Sequence, residues 1–203
     1  EALKSFEFAE QTVTDFLTKV AEEQLFNERQ LQPLRQRLLE QAASYYEGLS
    51  DRLRSEPQRR RELGIIRHGL GMASLLQGAP DRARQEFEAA LKLRRDLVAE
   101  SPGDRNYRRE LAISLGMLAR MARVAGDVPQ AEKQLGEARR ILEALSPEDP
   151  GDDRAKSDLV KLYSQWELML LAEGRAEEAK QFLPLEKELC TQLLRAHPDK
   201  EDY

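Results

Sequence analysis

The sequence predicts an all-α protein built as a chain of about four long antiparallel helical hairpins, and three observations carry that expectation. Leu, Ala, Glu, Arg and Gln dominate a composition that is 40% hydrophobic and 34% charged, with few β-branched residues, which suits long exposed helices and disfavours sheet. Apolar residues recur at helical spacing. Above all, the chain repeats itself: Gly78, Gly126 and Gly174 fall 48 residues apart, as do Ala83, Ala131 and Ala179, and Pro102, Pro150 and Pro198.

The columns between those markers agree in chemistry. Leu63, Leu111 and Leu159 form one, and Leu70, Leu118 and Trp166 another. Phe87, Leu135 and Leu183 follow, then Leu93, Ile141 and Leu189, then Leu97, Leu145 and Leu193. The register extends back to Leu39, Ala42, Tyr45 and Leu49, so a further hairpin precedes the three clear ones. Its first helix, from about residue 3 to 25, carries Val13, Leu17, Val20, Ala21 and Leu25 at an offset of 50.

Each turn Gly stands where one helix stops and the next begins, because Gly accepts the left-handed C-cap while Pro, Asp or Glu suits the following first turn. The segments Ser101-Pro102-Gly103-Asp104 and Asp149-Pro150-Gly151-Asp152 read as stops between hairpins, each ending in an N-cap. The expected helices run from about 3 to 25, 32 to 54, 59 to 77, 81 to 100, 105 to 125, 128 to 145, 153 to 173 and 176 to 196. They pair as hairpins over about 3–54, 59–100, 105–145 and 153–196 of one repeat domain, 1–203, since each unit packs on its neighbours.

Small residues in mid-helix (Gly71, Ala119), the turn Gly, the Ala opening the second helix, the large apolar residue four later, then Ala90 and Ala138 and a terminal Pro together resemble the tetratricopeptide repeat. That resemblance implies a right-handed superhelical array whose first helices line the inner, partner-binding surface. The period exceeds the usual 34 by about 14 residues, close to four helical turns, so two extra turns per helix keep both faces in phase. Residues 13 to 53, with Val13 to Leu25, Leu31 to Glu40 and Tyr45-Tyr46, resemble the segment that joins the membrane-spanning helix to long repeats of this kind in planctomycete-type bacterial serine/threonine protein kinases. This second resemblance implies an extracytoplasmic, partner-sensing region of a receptor kinase; without it, a cytoplasmic location is expected. The chain opens on Glu1 rather than Met, which reads as a processed chain or part of a longer one.

The last unit departs from the pattern. Glu167 replaces the small residue of Gly71 and Ala119, Glu186 replaces the Ala of Ala90 and Ala138, and Pro184 falls inside the last helix, where its missing N–H should kink or split it. A terminal, solvent-facing unit explains these changes.

No catalytic signature is present. Gly69-Leu70-Gly71 lacks the further Gly, the Lys and the strand of a phosphate loop, and neither Asp-Phe-Gly nor His-Arg-Asp occurs, so no phosphoryl transfer is expected from this chain. His68, His197 and Cys190 lack the spacing of a zinc site, and Glu148, Asp149, Asp152 and Asp153 lack the ligand pattern of a calcium loop, leaving no metal or cofactor expected. The run Arg59-Arg60-Arg61 stands beside Glu56 and Glu62 without stacking aromatics and reads as a solvated helix end. With a net charge of −5 spread evenly, nucleic acid is not an expected partner, and no apolar run reaches the length of a membrane span.

Binding of a protein or peptide remains. By the repeat register, the side chains that face away from the paired second helix are Asp15 and Glu22, then His68, Met72 and Leu75, then Arg120 and Arg123, then Lys161 and Ser164. The carboxylate clamp of chaperone adaptors is missing, since His68 and Met72 occupy the places of its opening Lys and Asn. A self-association module that joins copies of the parent protein, a homo-oligomer, is the competing expectation.

Overall fold

The computed structural model describes residues 32–53, 59–149 and 151–196. The expected first helix, with Asp15 and Glu22, and the stop at His197 and Pro198 lie outside them. Among the described residues the regular elements are all α-helical: α1 (Gln32–Leu53), α2 (Arg60–Leu76), α3 (Pro80–Glu100), α4 (Arg105–Val124), α5 (Val128–Leu145), α6 (Arg154–Ala172), α7 (Ala176–Ala179) and α8 (Phe182–Ala196). The chain divides into two compact units, the first ending at Leu97 and the second starting at Val98.

The helix stops follow from backbone chemistry. Gly78, Gly126 and Gly174 adopt φ of 76°, 78° and 73°, the left-handed region that a Cβ disfavours. In each, the Gly N–H donates to the carbonyl three residues back (Leu75, Arg123, Leu171), and the next N–H donates to the one five back (Ser74, Ala122, Leu170). This is the Schellman closure, made three times with the same partners. At the helix starts, the Asp104 carboxylate accepts from Tyr107 N–H and the Asp127 carboxylate from Gln130 N–H, each satisfying an otherwise orphaned first-turn donor. At α6 the expected N-cap is displaced by one: Asp153 holds that position, and Asp152 accepts instead from the Arg154 backbone and guanidinium.

In the first unit, α2 is packed from two sides through its glycines. A Cβ on Gly69 would stand 2.6 Å from the buried Tyr46 ring of α1, and one on Gly71 would stand 2.5 Å from Phe87 of α3. Both are closer than atoms can sit, so no larger residue fits without movement. Gly64 lies beneath the Arg94 side chain. Arg67 pairs with Glu86 at 2.8 Å, and the exposed Arg82 of α3 pairs with Glu47 of α1.

In the second unit, three bonds join α6 to α4: a long one of 3.4 Å from Arg154 to Asn106, across 48 residues, and two short ones that fix the register. Arg109 Nε donates to Asp158 at 2.6 Å and Gln165 Nε2 to the Gly116 carbonyl at 2.9 Å, both across 49 residues. Equal offsets mean that the two first helices run parallel and in register. Helix α5 runs antiparallel to α6, because Glu143 near its end meets Tyr163 while Glu132 near its start meets Arg175. Most members of the core columns are buried here, namely Leu111, Leu115, Leu118 and Ala119 of α4, Ala131, Leu135, Ala138, Leu142 and Leu145 of α5, and Leu159, Leu162 and Tyr163 of α6, whereas Ile141, Trp166 and Leu189 are half-buried.

The last second-helix is split, and the split corrects one column. Residues 180 and 181 break it, α8 restarts at Phe182, and Pro184 sits in its first turn, where no N–H is needed. Restarting the helix shifts its phase. Phe182 therefore takes the buried place at 1% exposure, while Leu183, expected to follow Phe87 and Leu135, is 52% exposed. The phase recovers by Leu193, which is buried like Leu97 and Leu145.

Candidate functional site

Of the nine residues predicted to line the partner-binding face, the seven that are described divide by what they touch. His68 turns toward α3, its ring 5.4 Å from that of Phe87. Its Nδ1 is buried without a hydrogen bond, and burial, with the Arg94 charge adding to it, pushes the imidazole down to about 3. It is a neutral packing residue of the hairpin over 59–100 rather than an open contact. Met72 and Leu75, one and two turns on, are half-buried.

Ser164 also turns inward, its hydroxyl donating to Glu186 of α8 at 2.8 Å. Arg120 and Lys161 are exposed and Arg123 is half-buried. Among the described residues no carboxylate pairs with any of these three cations. That sets them apart from Arg105, Arg108, Arg109, Arg139, Arg154 and Arg175, each of which has an acidic partner.

Two residues of this face escaped the sequence reading. Leu168 occupies the repeat column of Met72 and Arg120, and Leu171 that of Leu75 and Arg123. They are 64% and 48% exposed, and Val124 at the end of α4 is 68% exposed. The signal that finds them is the 48-residue period itself, carried one unit further than Arg120 and Arg123.

An open hollow of about 400 Å³ lies among α5, α6 and α8, lined by Leu159, Leu185 and Leu189 together with Glu143 and Glu188. Its polar groups are engaged: Tyr163 donates to Glu143 at 2.9 Å, Arg139 also donates to Glu143, and Gln192 donates to Glu188. Burial, with the Glu143 carboxylate adding to it, pushes the Tyr163 phenol up to about 12. Trp166 and Tyr163 both meet Phe182, at 5.3 and 5.5 Å, in an aromatic cluster that closes the last hairpin.

The charged groups singled out in the sequence have structural partners. Glu148 is held below the usual carboxylate range by Arg108, and Asp152 by Arg154, while Arg59 pairs with Glu62 at the start of α2. Cys190 is a free, half-buried thiol. Among the described residues, no three His, Cys, Asp or Glu side chains gather as a metal site, and no helix is long and apolar enough to cross a membrane.

No protein-family model and no curated protein matches the chain. The fold is similar to that of a solved structure, BtubC (BKLC) from P. vanneervenii, with a TM-score of 0.61 at 18% identity, over 98% of this chain and 78% of that one. The likeness extends to the fold.

Proposed function

We propose that this chain is a non-catalytic interaction scaffold of tetratricopeptide-like hairpins, in which the first-helix face holds a protein or peptide partner. The observation that carries the reading is the contrast on that face in the second unit. Arg105, Arg108 and Arg109 of α4 and Arg154 and Lys156 of α6 are held in ion pairs, while Arg120, Arg123 and Lys161 further along the same two helices stay without a described carboxylate beside the exposed Leu168 and Leu171. A right-handed superhelical array and a place in the sensory region of a bacterial receptor-type serine/threonine kinase are the finer parts of the proposal. They rest on the repeat columns and on the resemblance of residues 13 to 53.

The test is capture of a partner from native extract by the immobilised chain, compared with Arg120→Glu/Arg123→Glu and with Lys133→Glu/Arg140→Glu on the outer surface of α5. The first double variant should lose capture and the second should keep it, both melting like the parent as surface substitutions do. The reverse pattern would move the site to the second helices.

Self-association is the second reading, favoured by the exposed Leu183 and Leu194 on α8 in addition to Leu168 and Leu171. Sedimentation over a concentration series separates the two: a mass that rises with concentration supports it, and a constant monomer mass counts against it.

A further inference from the structure

We infer that the first-helix face of the second unit is built for an acidic amphipathic segment, a partner helix or peptide with carboxylates along one side and apolar side chains along the other. This rests on the scaffold reading above and names the chemistry of its partner.

The geometry comes from the two bonds that lock α4 and α6 in parallel register at an offset of 49, Arg109 to Asp158 and Gln165 to Gly116. At that offset Arg120 lies level with Met169 and Arg123 with Ala172, so Leu168 and Leu171 stand one residue before the level of the two arginines on the adjacent rod. Positions 48 apart occupy the same place in the repeat, so Arg120 and Leu168 project alike, as do Arg123 and Leu171. Met169 and Leu170 between the two leucines are buried. The result is two parallel rows: cations on α4, ending in the exposed Val124, and apolar side chains on α6, with Lys161 two turns before Leu168.

Each row by itself has an ordinary explanation, since single exposed leucines and solvated arginines are common. Together they are complementary to one ligand class. An exposed Arg gains when it meets a carboxylate in a fork-like pair, and the adjacent Leu row gains from apolar burial only if the same ligand carries both features. A purely acidic tail would leave Leu168 and Leu171 wet. A second copy of this face would set Arg120 and Arg123 against like charges or bare leucines.

The probe is a fluorescein-labelled helical peptide of about four turns with Leu along one side and Glu along the other, titrated into the full chain by anisotropy. A companion peptide keeps the Leu side and replaces every Glu by Lys. The Glu peptide should bind at least about tenfold more tightly than the Lys peptide, and more weakly as salt is raised. Arg120→Glu/Arg123→Glu should reduce Glu-peptide binding about tenfold or more, and Leu168→Ser/Leu171→Ser should weaken both peptides, with melting temperatures held near that of the parent.

Equal binding of the two peptides, or Glu-peptide binding indifferent to Arg120→Glu/Arg123→Glu, overturns the inference. A concentration-dependent mass abolished by Leu168→Ser/Leu171→Ser, with no peptide bound, overturns it in favour of a second copy. If the Glu peptide fails while capture from extract still depends on Arg120 and Arg123, the partner chemistry falls and the scaffold reading stands. Capture indifferent to those residues removes both.

Discussion

One methyl group decides how closely α2 approaches its neighbours. Gly69→Ala or Gly71→Ala drives a Cβ into the Tyr46 or Phe87 ring, and each should lower stability to urea by about 1 to 3 kcal/mol, as overpacked cores do. Gly48 of α1 has no atom within 4 Å of its virtual Cβ, so Gly48→Ala should instead gain about 0.5 to 1 kcal/mol from helix propensity. A loss at both kinds of position would contradict the packing described. The sequence marked Gly71 as a close-contact residue through its column with Ala119, which is buried, but left Gly69 with no role beyond failing as part of a phosphate loop. Nothing in the repeat places a ring from the preceding helix against it.

His68 carries a pH signature. Its folded value of about 3 lies below its ordinary 6.5, so below pH 6.5 the unfolded chain takes up a proton that the folded chain refuses. Stability should therefore be full above pH 6.5 and fall as pH drops toward 3, by at most about 1.4 kcal/mol per unit, the most that one proton can contribute. The Glu148 and Asp152 carboxylates, held low by Arg108 and Arg154, add losses in the same direction but only at more acid pH. His68→Leu should flatten the upper part of the profile, between pH 6.5 and about 5, and leave the acid limb. An unchanged profile would mean that the imidazole is solvated.

At the scale of elements, the turns were the most legible feature, because only Gly reaches positive φ cheaply and the three turn glycines share one spacing. Gly126→Ala keeps the hydrogen bonds but forces a Cβ into the left-handed region, for an expected loss of about 1 to 2 kcal/mol. Helix ends agree with expectation to within a residue wherever a Schellman turn or an Asp cap marks them. Agreement fails at α7 and α8, where Pro184 announced a break but the sequence could not say how much phase the break would cost. One residue of slip put Phe182 in the core and Leu183 in solvent. Phe182→Ala should cost about 3 to 5 kcal/mol and Leu183→Ala little, by thermal or urea unfolding. The same dependence on direction explains the candidate site. Column spacing placed Arg120, Arg123 and Lys161 at the surface, but it could not foresee that His68 would turn to Phe87 or Ser164 to Glu186.

Across the whole molecule, the proposed function puts the partner on the first helices, with the second helices and the hairpin interiors as its support. Its most direct test is hydrogen–deuterium exchange of the chain with and without a captured partner. New protection is expected within residues 116–124 of α4 and 161–172 of α6, with the amides of α5 and α8 unchanged. Protection confined to α5 and α8 would place the partner on the second-helix surface and contradict it.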